Sequence, residues 1–145
     1  MGEGQKNVKN YELIEHTADI GIRVRGKGLK EIFSNTALAM FDIISERKDK
    51  IPAAPKRIKI AQKADNLEEL FINWLNELLS LSAAKEVIFS DFKIDKLDKN
   101  SIEAIATAED VNNYKVNVEV KAATYHQLKL AQSPSGWEAE VILDV

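Results

Sequence analysis

The chain has 145 residues, 45% of them hydrophobic and 30% charged, which fits one globular domain and excludes an intrinsically disordered protein. Its formal net charge of −3 excludes the overall basic excess that drives strong autonomous nucleic-acid binding. It has no cysteine, which excludes disulfides, thiolate zinc sites and a cysteine nucleophile.

Residues 1–10 are polar and read as a flexible N-terminal segment ahead of a single domain over 11–145. They lack the apolar stretch of a signal peptide, and no later run approaches the roughly 20 apolar residues of a membrane span. A soluble, cytoplasmic protein with no membrane contact is expected. Strands are predicted over 11–15 and 20–25. In the second, Ile20, Ile22 and Val24 alternate with Gly21, Arg23 and Arg25, so one face is buried and the other wet. Gly26-Lys27-Gly28 turns the chain into a helix over about 29–44, with Leu29, Ile32, Phe33, Ala37, Met40, Phe41 and Ile44 at helical spacing.

Charges followed by Pro52 and Pro55 make 46–55 a loop, and the lysine-rich stretch 48–59 is assigned no role. Residues 56–64 alternate Ile58 and Ile60 with lysines and read as a strand. Asp65 then caps a helix, with Glu68 at the capping-box position, and Leu67, Leu70, Phe71, Trp74, Leu75, Leu78 and Leu79 form its stripe. Further strands are predicted over 87–94, 101–108, 114–123, 125–131 and 137–145, with turns at 98–100 and 133–136. Runs of adjacent strands favour antiparallel pairing. The fold class is therefore α+β, one domain of mostly antiparallel or mixed sheet with two amphipathic helices on one face.

Chemistry concentrates near the two ends. Val141, Ile142 and Leu143 should pin the final strand into a sheet and fix Asp144, its neighbouring carbonyls and the terminal carboxylate of Val145. Asp19 offers a matching carboxylate. Calcium takes about 6–8 oxygens in irregular geometry, so two carboxylates and main-chain oxygens would serve; the alternative is a pair of exposed aspartates. His16 and His126 are the only imidazoles, too few for zinc. Each is either a general base or a partly buried structural histidine. Strand alternation puts Lys121, Ala123 and Tyr125 on one face and Ala122, Thr124 and His126 on the other. That splits the polar residues, and the chain has no nucleophile-elbow motif. Glu31 stands where a dinucleotide fingerprint needs its third glycine, so Gly26-Lys27-Gly28 is a turn and not a nucleotide site.

Tyr11-Glu12 with His16-Thr17-Ala18-Asp19, Thr124-Tyr125-His126, the helical segment 73–79, and a final Gly136-Trp137-x-Ala139-x-x-x-x-Asp144-Val145 occur in this order. Together they resemble the archease family over 11–145. The resemblance implies a non-enzymatic activator of an RtcB-type RNA ligase, promoting its guanylylation and multiple turnover in tRNA splicing and RNA repair. It also implies Asp19, Asp144 and Val145 as metal positions for Ca²⁺ or another divalent cation. His16, Lys121, Tyr125 and His126 are the expected functional neighbours. The alternatives are a general chaperone or scaffold for nucleic-acid-processing proteins, and a small metal-dependent phosphohydrolase.

Overall fold

The computed structural model describes residues 10–14, 19–48 and 54–145. The segment expected to be flexible therefore lies, apart from Asn10, outside the described residues, as does His16. In chain order the elements are β1 (Tyr11–Ile14), β2 (Asp19–Gly26), α1 (Leu29–Ile44), β3 (Ser45–Arg47), β4 (Lys56–Lys63) and α2 (Leu67–Lys85). They continue with β5 (Val87–Leu97), β6 (Ser101–Asp110), a 3-10 turn (Val111–Asn113), β7 (Tyr114–Val116), β8 (Ala122–Ser133) and β9 (Gly136–Asp144). Every strand pair is antiparallel. The strands form three sheets, ordered β1-β2-β9-β8, β4-β6-β5 and β3-β7.

Each helix touches both larger sheets, α1 through β2, β9 and β5, and α2 through β8, β4, β5 and β6. The core lies where these layers meet. Phe33 of α1 packs edge-on against Phe71 of α2 at 5.1 Å, and Trp74 against Phe92 of β5 at 5.6 Å. Trp74 is fully buried and its indole N–H donates to the Phe33 carbonyl at 3.0 Å, so the bulkiest core side chain keeps its polar atom satisfied. On the other flank the Tyr11 hydroxyl donates to Asp42, tying the edge strand β1 to α1.

The α+β class holds, with three corrections to the predicted elements. The cap of α2 is Asn66, which accepts from Glu69 N–H at 2.9 Å, while the Glu69 carboxylate accepts from Asp65 N–H at 2.7 Å. Asparagine caps as well as aspartate, so the cap sits one residue later than the Asp65/Glu68 pattern. The stretch 114–123 is not one strand: β7 ends at Val116, and the amides of Asn117 and Val118 both donate to the Ile44 carbonyl, turning the chain away. The partner of β7 is β3, which opens the segment read as a loop from 46.

The β8–β9 hairpin closes on Gly136, whose φ is +137°; a Cβ there would lie 2.5 Å from the Gly26 carbonyl oxygen. Strain and clash fall on rigid backbone. Gly136→Ala is expected to cost about 2–4 kcal/mol, read from the urea midpoint, and an unchanged midpoint would contradict this close approach.

Candidate functional site

The site follows from register. β2 and β9 pair so that Asp19 stands opposite Asp144, Gly21 opposite Ile142, Arg23 opposite Glu140 and Arg25 opposite Glu138. Directly opposed residues share a face with Cα atoms roughly 4.5–5.5 Å apart. Two aspartates 125 positions apart in sequence thus become cross-strand neighbours. The other face carries Ile22, Val24, Ala139, Val141 and Leu143, all buried, and this is why the register cannot slip by one residue.

Along the outer face, Glu12, Arg23, Glu140 and Lys129 form one row of alternating sign across β1, β2, β9 and β8. Arg23 bonds Glu12 at 2.6 Å and Glu140 at 2.8 Å, while Arg25 and Lys129 both reach Glu138, at 3.0 and 2.9 Å. The Lys129 ammonium holds the Glu138 carboxyl below its usual range. The next row is apolar. Gly21 lets Ile14 and Ile142 close over it, since a Cβ there would stand 2.9 Å from Ile14 Cβ and 3.1 Å from Ile142 Cδ1. Beyond it lie Asp19 and Asp144. Arg23 is four residues from Asp19 along the strand, roughly 13 Å, and among the described residues neither aspartate makes an ion pair. Among the described residues of this sheet, the arginine and lysine side chains are paired with carboxylates, and this pair of aspartates is not.

The strand end is held from both sides. Asp144 also faces Ala122 of β8, the Lys121 amide donates to the Asp144 carbonyl at 2.7 Å, and the Thr124 hydroxyl donates to the Ile142 carbonyl at 2.9 Å. Val145 packs against the core, leaving only its main-chain atoms as potential ligands. Asp144 is exposed and Asp19 half-buried, so both are open to solvent. Among the described residues no three His, Cys, Asp or Glu side chains converge. Like charges opposed on adjacent strands repel, and a hard divalent cation between two carboxylates reverses that sign. The pair therefore fits calcium-type ligation completed by solvent and main-chain oxygen, and does not fit a zinc site.

Lys121 precedes β8, and Tyr125 and His126 do not follow strand alternation. Between the pairs Thr124/Ile142 and Lys129/Glu140, the four residues 125–128 stand opposite Val141 alone. This wide bulge, with Gln127 at φ +54°, turns Tyr125 and His126 outward on the edge strand. Tyr125 is more than half exposed; partial desolvation, then the nearby Glu69 carboxylate, pushes its hydroxyl pKa up. The expected split of Lys121 and Tyr125 from Thr124 and His126 is replaced by this bulge.

Asn76 was not singled out in the sequence. Its side chain donates to the Ala123 carbonyl at 3.2 Å and accepts from the Ala123 amide at 2.8 Å, so α2 completes the free edge of β8. The available signal was an asparagine inside an apolar helix, a position asparagine disfavours. Asn76→Ala is expected to cost about 2 kcal/mol by stranding two part-buried backbone groups, measured by thermal unfolding; a loss below a few tenths would mean that water replaces the amide fully.

The molecule is thus an α+β domain that brings two carboxylates opposite each other at one sheet end. It belongs to the archease family: the model of the Archease protein family (MTH1598/TM1083) matches residues 11–145. Protein archease of Methanosarcina barkeri is 38% identical over 143 residues, covering 94% of this chain and 97% of its own length. That of Pyrococcus abyssi is 38% identical over 144 residues, covering 95% and 100%. The solution structure of Methanobacterium thermoautotrophicum protein 1598 superposes with a TM-score of 0.67 at 30% identity, over 95% of this chain and 100% of that one. A Thermotoga maritima crystal structure, described as an archease and possible chaperone, shares the fold with a TM-score of 0.65 at 20% identity, over 92% and 96%. Among the described residues no helix is long and apolar enough to cross a membrane.

Proposed function

We propose that this protein is a non-enzymatic activator of an RtcB-type RNA ligase, acting through a divalent cation, Ca²⁺ in the first instance, held by Asp19 and Asp144 beside Val145. The observation that supports it best is the Asp19/Asp144 register. When bound, such an ion supplies positive charge that phosphate oxygens can accept, stabilising charge that develops in phosphoryl chemistry. The chain's own residues do the positioning. The Lys121 amide and the Thr124 hydroxyl fix the end of β9, and the bulge 125–128 presents Tyr125 and His126 on the adjacent edge strand. The two carboxylates would hold the ion, with solvent and main-chain oxygens completing its shell.

Two features favour this reading over the alternatives. Two-metal phosphoester hydrolysis needs more converging carboxylates than this pair. A general chaperone needs a broad apolar surface, whereas the exposed large hydrophobics among the described residues are Leu13, Val116 and Tyr125, each on a different strand. That pattern suits a specific partner better than unfolded chains. The test is guanylylation and multiple-turnover RNA joining by a cognate RtcB-type ligase with and without this protein. Stimulation by stoichiometric protein supports the activator reading. No stimulation by a folded sample, or equal protection of unrelated enzymes from aggregation, refutes it.

A further inference from the structure

We propose that the outer face of the three-stranded sheet binds the phosphate backbone of single-stranded nucleic acid, independently of the carboxylate end. The register of β4-β6-β5 gathers cations that the sequence disperses. Arg57 and Asp91 flank Thr107, Lys59 and Lys93 flank Ile105 on either side, Lys96 faces Glu103, and Lys63 faces Ser101. All five cations are exposed, while Ile58, Ile60, Phe92 and Ile94 point into the core from the opposite face.

The contrast with the other sheet carries the argument. There, Arg23, Arg25 and Lys129 each make an ion pair with a neighbouring strand; on this face none of the five cations makes one among the described residues. The acids Asp91, Asp95 and Glu103 lie on β5 and β6, whereas on this face β4 carries only cations, Arg57, Lys59 and Lys63. A chain that is acidic overall therefore has one positively charged sheet edge, and local potential rather than net charge steers a polyanion. Same-face residues recur roughly every 6.7 Å along a strand and Lys59 and Lys93 are two strand spacings apart, roughly 9.5 Å, giving an array in which cations outnumber the interspersed carboxylates. The face has no aromatic side chain to stack a base and no helix to enter a groove. Recognition is therefore of phosphates, without sequence preference, and modest in strength. The competing account of lysines on β4 is protection of a sheet edge from pairing with other chains, which makes no demand for a polyanion.

The test is fluorescence anisotropy of a labelled twelve-residue oligouridylate with the full chain at 50–200 mM salt. Binding at 50 mM is expected, with a log–log salt slope of about −2 to −3 for three or four neutralised phosphates. Lys59→Glu with Lys93→Glu should weaken it at least tenfold, and the milder Lys59→Gln with Lys93→Gln should weaken it less, both keeping the wild-type circular dichroism spectrum. Lys129→Gln on the other sheet should leave it unchanged. Absence of binding at 50 mM, equal binding by the double glutamate variant, or equal competition by polyglutamate, which would mark an acidic protein as the partner, each overturns the proposal. None of these readouts involves a ligase, so this inference and the activator reading fail separately.

Discussion

Asp144→Ala should leave the protein folded, abolish its stimulation of an RNA ligase, and remove any gain in thermal stability on adding calcium. The side chain is exposed and the strand is held through main-chain groups, notably the Lys121 amide on the Asp144 carbonyl, which alanine retains. Without metal the variant should be as stable as wild type or slightly more so, because Asp19 loses a like-charged cross-strand neighbour, worth a few tenths of a kcal/mol. With metal the order reverses. A ligand at about 100 times its Kd stabilises the native state by roughly 2.7 kcal/mol, which for a chain of this length raises Tm by roughly 5–10 °C. Wild type should show that rise and Asp144→Ala or Asp19→Ala should not. Differential scanning calorimetry with and without calcium decides it. A variant that still gains the full rise places the ion elsewhere, and one that loses the rise yet stimulates ligation fully separates the ion from function.

That juxtaposition was legible in the sequence only in part. The apolar run 141–143 showed that Asp144 would be held in a strand, and the alternation of Ile20, Ile22 and Val24 showed which face of β2 would be wet. No local pattern states which residues of two distant strands lie opposite each other; register is fixed by burial of both core faces at once. The helices were read well because each buries a broad stripe, and α1 begins and ends where its periodicity does, at Leu29 and Ile44. Short strands fared worse. Three residues of β3 and three of β7 carry too few alternations to register, and their pairing depends on partners about 70 positions away. The bulge 125–128 defeated the face assignment of Lys121, Tyr125 and His126 because an alternation rule assumes that every residue of a strand has a partner.

Arg47→Ala should be among the most destabilising single changes at neutral pH, and its effect should fade in acid. Glu109 is the one buried carboxylate among the described residues. The β3-β7 ribbon supplies its partners: Arg47 bonds it, and the same guanidinium donates to the Tyr114 hydroxyl at 3.1 Å and lies 5.2 Å from that ring's centre. The Arg47 hydrogen bond holds the Glu109 carboxyl below its ordinary range, against desolvation, which raises it. In the wild type a depressed folded-state pKa adds stability that is present above the unfolded value, about 4.3, and is lost as pH falls through the folded value. Without Arg47 the largest lowering influence is gone. Burial then pushes the carboxyl pKa up from its wild-type position against only the Ser90 and Tyr114 hydrogen bonds, and the less compensated charge costs stability at pH 7 that protonation relieves on acidification. Removing one partner of a buried pair costs about 3 kcal/mol, the lower end of the usual span because Arg47 is itself partly exposed. Urea unfolding at pH 7, 5 and 3.5 should show a difference of that size at pH 7 shrinking steadily toward pH 3.5. Adding Glu109→Gln to the variant should recover much of the loss at pH 7, because an amide carries no charge to desolvate. A difference that stays constant with pH, or a double variant no better than the single, would assign the Arg47 effect to packing against Tyr114 instead of to the carboxylate.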